Sequence, residues 1–275
     1  MPVLSSEPNL TMLFGKAVLT GLTRHGSALP STVYTRSLVV DPARLAAYNK
    51  VCGFRLTDSL PVTYPHILSF PLQVKLMTDP GFPFPLVGSV HVANRITQHQ
   101  PIRADSPLTV QVHVENLRDH PRGRQFDVVT SASVVPDGPA VWESVSTYLR
   151  RGGSSSSGPR ENVAYQPSAI WRVPEDIGRR YADVSGDRNP IHTHALTAKL
   201  LGFPRAIAHG MWTKARSLAA FEGRLPDAYT VDVRFKQPVL LPAKVGFHTH
   251  VDDDGRHFEL FDTRGGRPHL SGLIT

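Results

Sequence analysis

Arg150-Arg151-Gly152-Gly153-Ser154-Ser155-Ser156-Ser157-Gly158-Pro159 falls close to the middle of a chain of 275 residues. A Gly/Ser tract has no side chains with which to build a core, so it reads as a flexible connector. It predicts two halves, 1–150 and 169–275, joined by a linker over 151–168. A division so near the midpoint invites a search for an internal repeat.

Working outward from the tract, the two halves share an order of features. Asp41-Pro42 supplies a helix cap followed by proline at the first helical position, and the helix leads to Tyr48, Val51, Cys52 and Gly53. A helix opening near Pro174-Glu175 leads to Tyr181, Val184, Ser185 and Gly186, with Val184 lying 133 residues after Val51. Pro65-His66-Ile67-Leu68 precedes an apolar helical run ended by Asp79-Pro80-Gly81. Ala208-His209-Gly210-Met211 precedes another, Trp212–Phe221, at an offset of 143. Gln100-Pro101-Ile102 and Gln237-Pro238-Val239 match at an offset of 137. After each, alternating stretches such as 108–114 and 245–251 read as strands. Each half is thus helix, loop, longer apolar helix and antiparallel strands, an α+β pattern in which a sheet wraps one central helix. The larger middle offset means that the second half carries extra residues between Gly186 and His209.

Composition sets the outer bounds. Hydrophobic residues make up 40% and charged residues 19%, ordinary for a globular chain with a sizeable core. The apolar residues of Leu10–Phe14 follow no basic segment and meet Lys16, so they read as a short packed helix or strand rather than a leader. No apolar run is long enough to span a bilayer. The single cysteine, Cys52, cannot form an intrachain disulfide, has no activating motif beside it and reads as a small buried residue in a reducing cytoplasm. The net charge of +7 is spread without blocks of like sign or a nucleic-acid motif. Such a charge suits an anionic small molecule or an acidic carrier protein.

The extra residues of the second half open within Ser185-Gly186-Asp187-Arg188-Asn189-Pro190-Ile191-His192. Asp187, Asn189 and His192 are polar groups able to converge from one turn, and Pro190 restricts the backbone on both sides of it. An imidazole exchanges protons near neutral pH, and a carboxylate beside it orients water or the ring, which is the equipment of general acid–base catalysis. A polar turn with local backbone hydrogen bonds accounts for the same residues equally well. Downstream, Gly210 at a helix start offers a free backbone N–H reinforced by the helix dipole, fit to receive a carbonyl oxygen that gains negative charge. A glycine needed for close packing has the same geometry, and His209 beside it is given no role.

Tyr181-Ala182-Asp183-Val184-Ser185-Gly186-Asp187-Arg188-Asn189-Pro190-Ile191-His192, with Gly202-Phe203 and Ile207-Ala208-His209-Gly210-Met211, resembles the MaoC-like (R)-specific enoyl-CoA hydratases. The first half resembles the degenerate repeat of double-hotdog members, including mycobacterial 3-hydroxyacyl-thioester dehydratases. The resemblance implies a double hotdog fold and the reversible addition of water to trans-2-enoyl thioesters in fatty acid metabolism. Asp187 and His192 match the catalytic dyad, Gly210 the oxyanion donor, Asn189 a support of the loop, and Ser185 a hydrogen bond behind the dyad. No metal or redox cofactor is implied; CoA or an acyl carrier's phosphopantetheine enters as part of the substrate. The first half, with Phe54–Pro61 at the corresponding place, lacks the dyad, so one active site per chain is expected. Two fused hotdogs would form a dimer-like unit within one chain, as a monomer or as a homodimer of such chains, with no nucleic acid or membrane as partner.

Arg234 and Lys236 share a strand face and could meet substrate phosphates, although a solvated face fits as well. His248 and His250 share another, with His257 nearby, but no complete metal-ligand set is visible and an exposed face is expected. Three functions remain in view: the hydro-lyase, a non-catalytic thioester-binding subunit, and a thioesterase, since one fold hosts many chemistries. The intact Asp187/His192 pair favours the first, because a binding subunit has no use for it.

Overall fold

The structure is a computed structural model that describes residues 2–20, 28–86, 88–152, 162 and 165–275. Its contacts divide the chain into two units, one of 1–42 and 58–156 and one of 43–57 and 157–275. Most of the Gly/Ser connector, at 153–161, 163 and 164, lies outside the described residues.

The first unit holds helices α1 (Leu10–Thr20) and α3 (Tyr64–Met77) with strands β1 (Tyr34–Leu38), β2 (Ser89–Gln98), β3 (Leu108–His120), β4 (Gly123–Ser133) and β5 (Trp142–Arg151). These strands pair antiparallel in the order β1-β3-β4-β5-β2. Along β3 every second residue from Leu108 to Val114 is buried, the alternation expected when one sheet face meets a core. That core is α3, whose residues are all buried except Lys75. A helix apolar nearly all round is stable in water only when wrapped, and here it packs on β3 and β4. Trp142, fully buried, donates its indole N–H to the Val62 carbonyl at 2.7 Å just ahead of α3. Fully burying an aromatic side chain of this kind contributes roughly 1.5–3 kcal/mol relative to exposure.

The second unit holds β6 (Ala169–Val173), α4 (Ile177–Ser185), α5 (Pro190–Thr193), α6 (Ala195–Leu200), α7 (Gly210–Ala219), β7 (Tyr229–Phe235), β8 (Ala243–Asp252), β9 (Gly255–Asp262) and β10 (Pro268–Ile274). Its strands run β6-β8-β9-β10-β7, all antiparallel. With β6 standing for β1 and the rest in turn, this is the strand order of the first unit, so the repeat inferred from the offsets is a repeat of topology. The added residues of the second half fold into α5 and α6.

Two expectations need correction. The helix α2 (Pro42–Cys52) was assigned with the first half, yet 43–57 groups with the second unit, so the chain does not divide cleanly at residue 150. The reason is packing: the Arg44 Nε donates to the Val184 carbonyl at 3.2 Å, the Trp212 indole donates to the Val51 carbonyl at 3.1 Å, and the rings of Tyr48 and Tyr181 lie 6.2 Å apart. The linker also starts one residue late, because Arg151 still pairs with Gly123 in the sheet. Cys52 is free and buried, and burial pushes its thiol well up, which makes it a poor nucleophile. Among the described residues no helix is long and apolar enough to cross a membrane.

Candidate active site

The site begins where α4 ends. Gly186 takes a left-handed conformation with φ of +80°, stopping the helix while its N–H bonds the Ala182 carbonyl at 2.9 Å. The chain leaves in a tight turn in which the Asp187 N–H donates to Ser185 Oγ at 3.1 Å and the Asn189 N–H donates to Asp187 Oδ1 at 3.3 Å. Asn189 then caps α5, accepting from the Ile191 N–H, and Pro190 occupies the first helical position. The segment expected as a rigid loop is therefore a capped turn of helix, and it places His192 one helical turn after Asn189.

Long-range bonds fix the histidine. His192 Nδ1 lies 2.8 Å from the Ile207 carbonyl, which can only accept, so Nδ1 carries the proton and Nε2 keeps its lone pair. The Ile207 N–H in turn donates to the Ile191 carbonyl at 3.1 Å, and 206–208 are tied by further backbone bonds to 239–241. On its other side, His192 lies against α4: a Cβ on Gly178 would fall 1.9 Å from the His192 carbonyl oxygen, so only glycine allows this approach.

The residue to which the sequence assigned no role proves central. His209 is 2% exposed and stacks on His192 with ring centres 3.7 Å apart and an interplanar angle of 26°. Its Nε2–H donates to the Asp187 backbone carbonyl at 2.9 Å, and its buried Nδ1 has no hydrogen-bond partner. Burial, together with the neighbouring His192, holds its pKa well below the ordinary imidazole value, so it remains neutral. It thus contacts both Asp187 and His192. The Ala-His-Gly stretch drew attention to its neighbourhood, but the double contact depends on the tertiary fold.

One carboxylate oxygen of Asp187 and one nitrogen of each histidine lie within 4.8 Å of one another. Two ordinary hydrogen bonds of about 2.8 Å through one water span such a gap. Because His209 Nε2 and His192 Nδ1 are committed to carbonyls, this group suits water better than a metal ion. The Asp187 side chain keeps 28% of its exposure, which leaves the carboxylate open to an incoming water. Burial raises the Asp187 pKa, opposed by the nearby His192 and the Asn189 N–H. Burial lowers the His192 pKa, opposed by Asp187 and the Ile207 carbonyl.

Gly210 is the first residue of α7, where an amide has no intrahelical acceptor, and directly follows His209. A Cβ there would meet the Phe235 ring at 3.1 Å, so the glycine also serves close packing. Phe235 and its neighbour Arg234 point to opposite faces of β7. Arg234 and Lys236 are both exposed.

A MaoC like domain model matches residues 158–271, the stretch that contains this whole constellation except the α2 support. The chain is 43% identical over 249 residues to 3-hydroxyacyl-thioester dehydratase X of Mycobacterium tuberculosis, covering 88% of each chain. The chain belongs to the MaoC-like 3-hydroxyacyl-thioester dehydratases. The crystal structure of HtdX from M. tuberculosis superposes with a TM-score of 0.79 at 42% identity, covering 88% of this chain and 99% of that one. A MaoC-like dehydratase from Phytophthora capsici shares the fold, with a TM-score of 0.70 at 18% identity over 94% of this chain and 97% of its own. The double hotdog architecture and the hydro-lyase class follow from membership of this family of dehydratases.

Proposed function

We propose that this hydro-lyase adds water reversibly to trans-2-enoyl thioesters to give (R)-3-hydroxyacyl thioesters, using Asp187 and His192 as its dyad. The observation that carries the reading is the division of labour on the His192 ring. Nδ1–H is fixed on the Ile207 carbonyl, so Nε2 is the available base on a ring that has one nitrogen within 4.8 Å of an Asp187 carboxylate oxygen.

In hydration, the carboxylate orients the water, His192 Nε2 takes one proton, and the oxygen bonds to C3 of the enoyl group. The electron pair of the C2–C3 double bond moves toward the thioester carbonyl, whose oxygen gains negative charge at the Gly210 N–H. The imidazolium then returns its proton to C2. Dehydration runs the same steps backward. A positioned acid–base group contributes about 10²–10⁴ in rate and one oxyanion donor about 10²–10³. The acyl carrier, CoA or a carrier protein's phosphopantetheine, belongs to the substrate, and no other cofactor takes part. The lone buried thiol fits a cytoplasmic enzyme of fatty acid metabolism.

The test follows loss of the conjugated enoyl absorbance with trans-2-enoyl-CoA of several chain lengths, with the stereochemistry of the product and the release of free thiol measured alongside. The expected result is hydration to the (R) product with no thiol released. Absence of hydration at every chain length would remove the reading for CoA substrates, and steady thiol release would point to a thioesterase.

A further inference from the structure

The β8–β9 hairpin carries a second cluster of ionisable groups that the dehydratase chemistry does not use. Antiparallel pairing sets His250 opposite His257 and His248 opposite Glu259. Alternate residues of a strand share a face, so His248, His250, Asp252, His257 and Glu259 stand together. The opposite face of the same strands carries Phe247, Phe258 and Leu260 in the core, which makes the histidine face the outer one.

Three of these groups have the spacing of a ligand set. His257 Nε2 lies 3.0 Å from Asp252 Oδ1, and His250 Nε2 lies 3.7 Å from Asp252 Oδ2. The two rings are parallel within 5° at 4.7 Å, and one donor atom from each residue lies within 4.8 Å of the others. Around a tetrahedral zinc ion with bonds of about 2.0–2.1 Å, donor atoms stand roughly 3.3–3.4 Å apart, so small side-chain rotations bring all three onto one ion. The Asp252 carboxylate is already oriented, since Oδ1 also accepts the Asp254 N–H at 3.0 Å in the hairpin turn.

The geometry points to a site for a divalent transition-metal ion, held by His250, His257 and Asp252 with water completing its shell. Two imidazoles and one carboxylate suit zinc, nickel or copper rather than calcium or magnesium, which prefer oxygen ligands throughout. The side chains keep 43%, 25% and 46% exposure for His250, His257 and Asp252, so an ion reaches them from solvent without opening the fold. A second triad of His248, His250 and Glu259 borders it. His248, however, already has Nδ1 on the Gln166 carbonyl at 2.9 Å and its ring on Tyr165 at 4.8 Å, so it flanks the site rather than closing it. Bound there, the ion clips β8 to β9 near their turn.

The sequence placed His248 and His250 on one strand face and favoured an exposed face over a metal site, because it is the cross-strand register that sets His257 beside His250 and Asp252. Zinc is the probe. Chelator-competition titration of the full chain at pH 7.5, with thermal unfolding in parallel, is expected to show one ion bound per chain and a higher Tm with zinc present. His250→Ala and His257→Ala should each weaken binding at least about tenfold and abolish the zinc-dependent rise in Tm. His248→Ala and His192→Ala should bind within about threefold of wild type, with far-UV circular dichroism confirming the fold of all four variants. A wild type with no zinc site tighter than about 100 µM overturns the proposal. So does binding that survives His250→Ala, or that is lost in His248→Ala but kept in His257→Ala.

Discussion

Two buried histidines stand near the starts of the two central helices, His66 in α3 and His209 at the cap of α7, and each is 2% exposed. Their surroundings differ. Around His66, α3 and the sheet of the same unit supply partners: the Gln73 amide lies 3.4 Å from His66 Nδ1 and donates to Ser69 Oγ at 3.0 Å, Ser69 Oγ donates to the His66 carbonyl at 2.9 Å, and the His91 ring of β2 lies nearly parallel at 6.2 Å. Around His209, the partners come from the added residues, as the Asp187 carbonyl and the His192 ring. One framework, used twice, thus holds a polar helix start in both units. In the first the contacts run to the helix itself and to the sheet strands β2 and β4; in the second they run to the turn and short helix that carry Asp187 and His192. The difference in chemistry resides in α5 and the turn before it, since the strand order is the same.

The comparison breaks first, if it breaks, at the dyad. Asp187→Asn and His192→Ala are each expected to lower kcat about 10²–10⁴-fold, and the double variant to fall little further, because the two groups act as one unit. His66→Ala, per folded molecule, should stay within about threefold of wild type. A His66 variant as impaired as the dyad variants would erase the distinction between the units.

Gly178→Ala comes next. Its Cβ would clash with the His192 carbonyl backbone, so α4 and α5 must separate, and a misplacement of about 1 Å costs roughly 10²-fold in kcat. Gly210→Ala meets only the edge of the Phe235 ring, which can yield, and keeps its N–H, so a loss below about tenfold is expected. Steady-state kinetics on the pair would reverse this ranking if α4 were not the support of His192.

His209→Ala should reduce kcat roughly ten- to a hundredfold with KM nearly unchanged, the mark of a residue that positions the dyad without touching substrate. A rise in KM with kcat intact would instead place His209 in the binding surface.

The smallest effect is on pH. His192 acts as base when neutral, and its pKa is held below the ordinary imidazole value of about 6.5. The acid limb of kcat/KM for hydration should therefore have its midpoint below about 6.5, because acid must protonate His192 or Asp187 to stop the reaction. A midpoint at or above about 7 would mean that burial does not govern the His192 ring.

Much of this was legible along the chain. The repeat offsets predicted two similar α+β halves, and alternation marked β3 and β8. The Ser185–His192 segment was read as a turn able to bring Asp187 and His192 together, and one donor atom of each lies within 4.8 Å of the other. Other readings failed for identifiable reasons. Helix α2 precedes α3 directly in sequence, yet Arg44 and Tyr48 bond and pack on α4, so chain order misassigned it. His66 was expected ahead of its helix but lies in the first turn, because Pro65 fits a helix start. Arg234 and Lys236 were expected on one strand face, but β7 ends at Phe235, so only Arg234 lies in the strand.

The sequence by itself determined what is local: the left-handed stop at Gly186, the Asn189-Pro190 cap, and therefore a carboxylate and an imidazole separated by one turn of chain. These follow from backbone preferences within a few residues. Only the tertiary structure decided which nitrogen of His192 is free, that His209 stacks upon it, and that α2 supports α4. Those outcomes rest on contacts between Ile207 and His192, His209 and Asp187, and Arg44 and Val184. Local propensity carries no record of such pairings, because each is made only when distant segments pack.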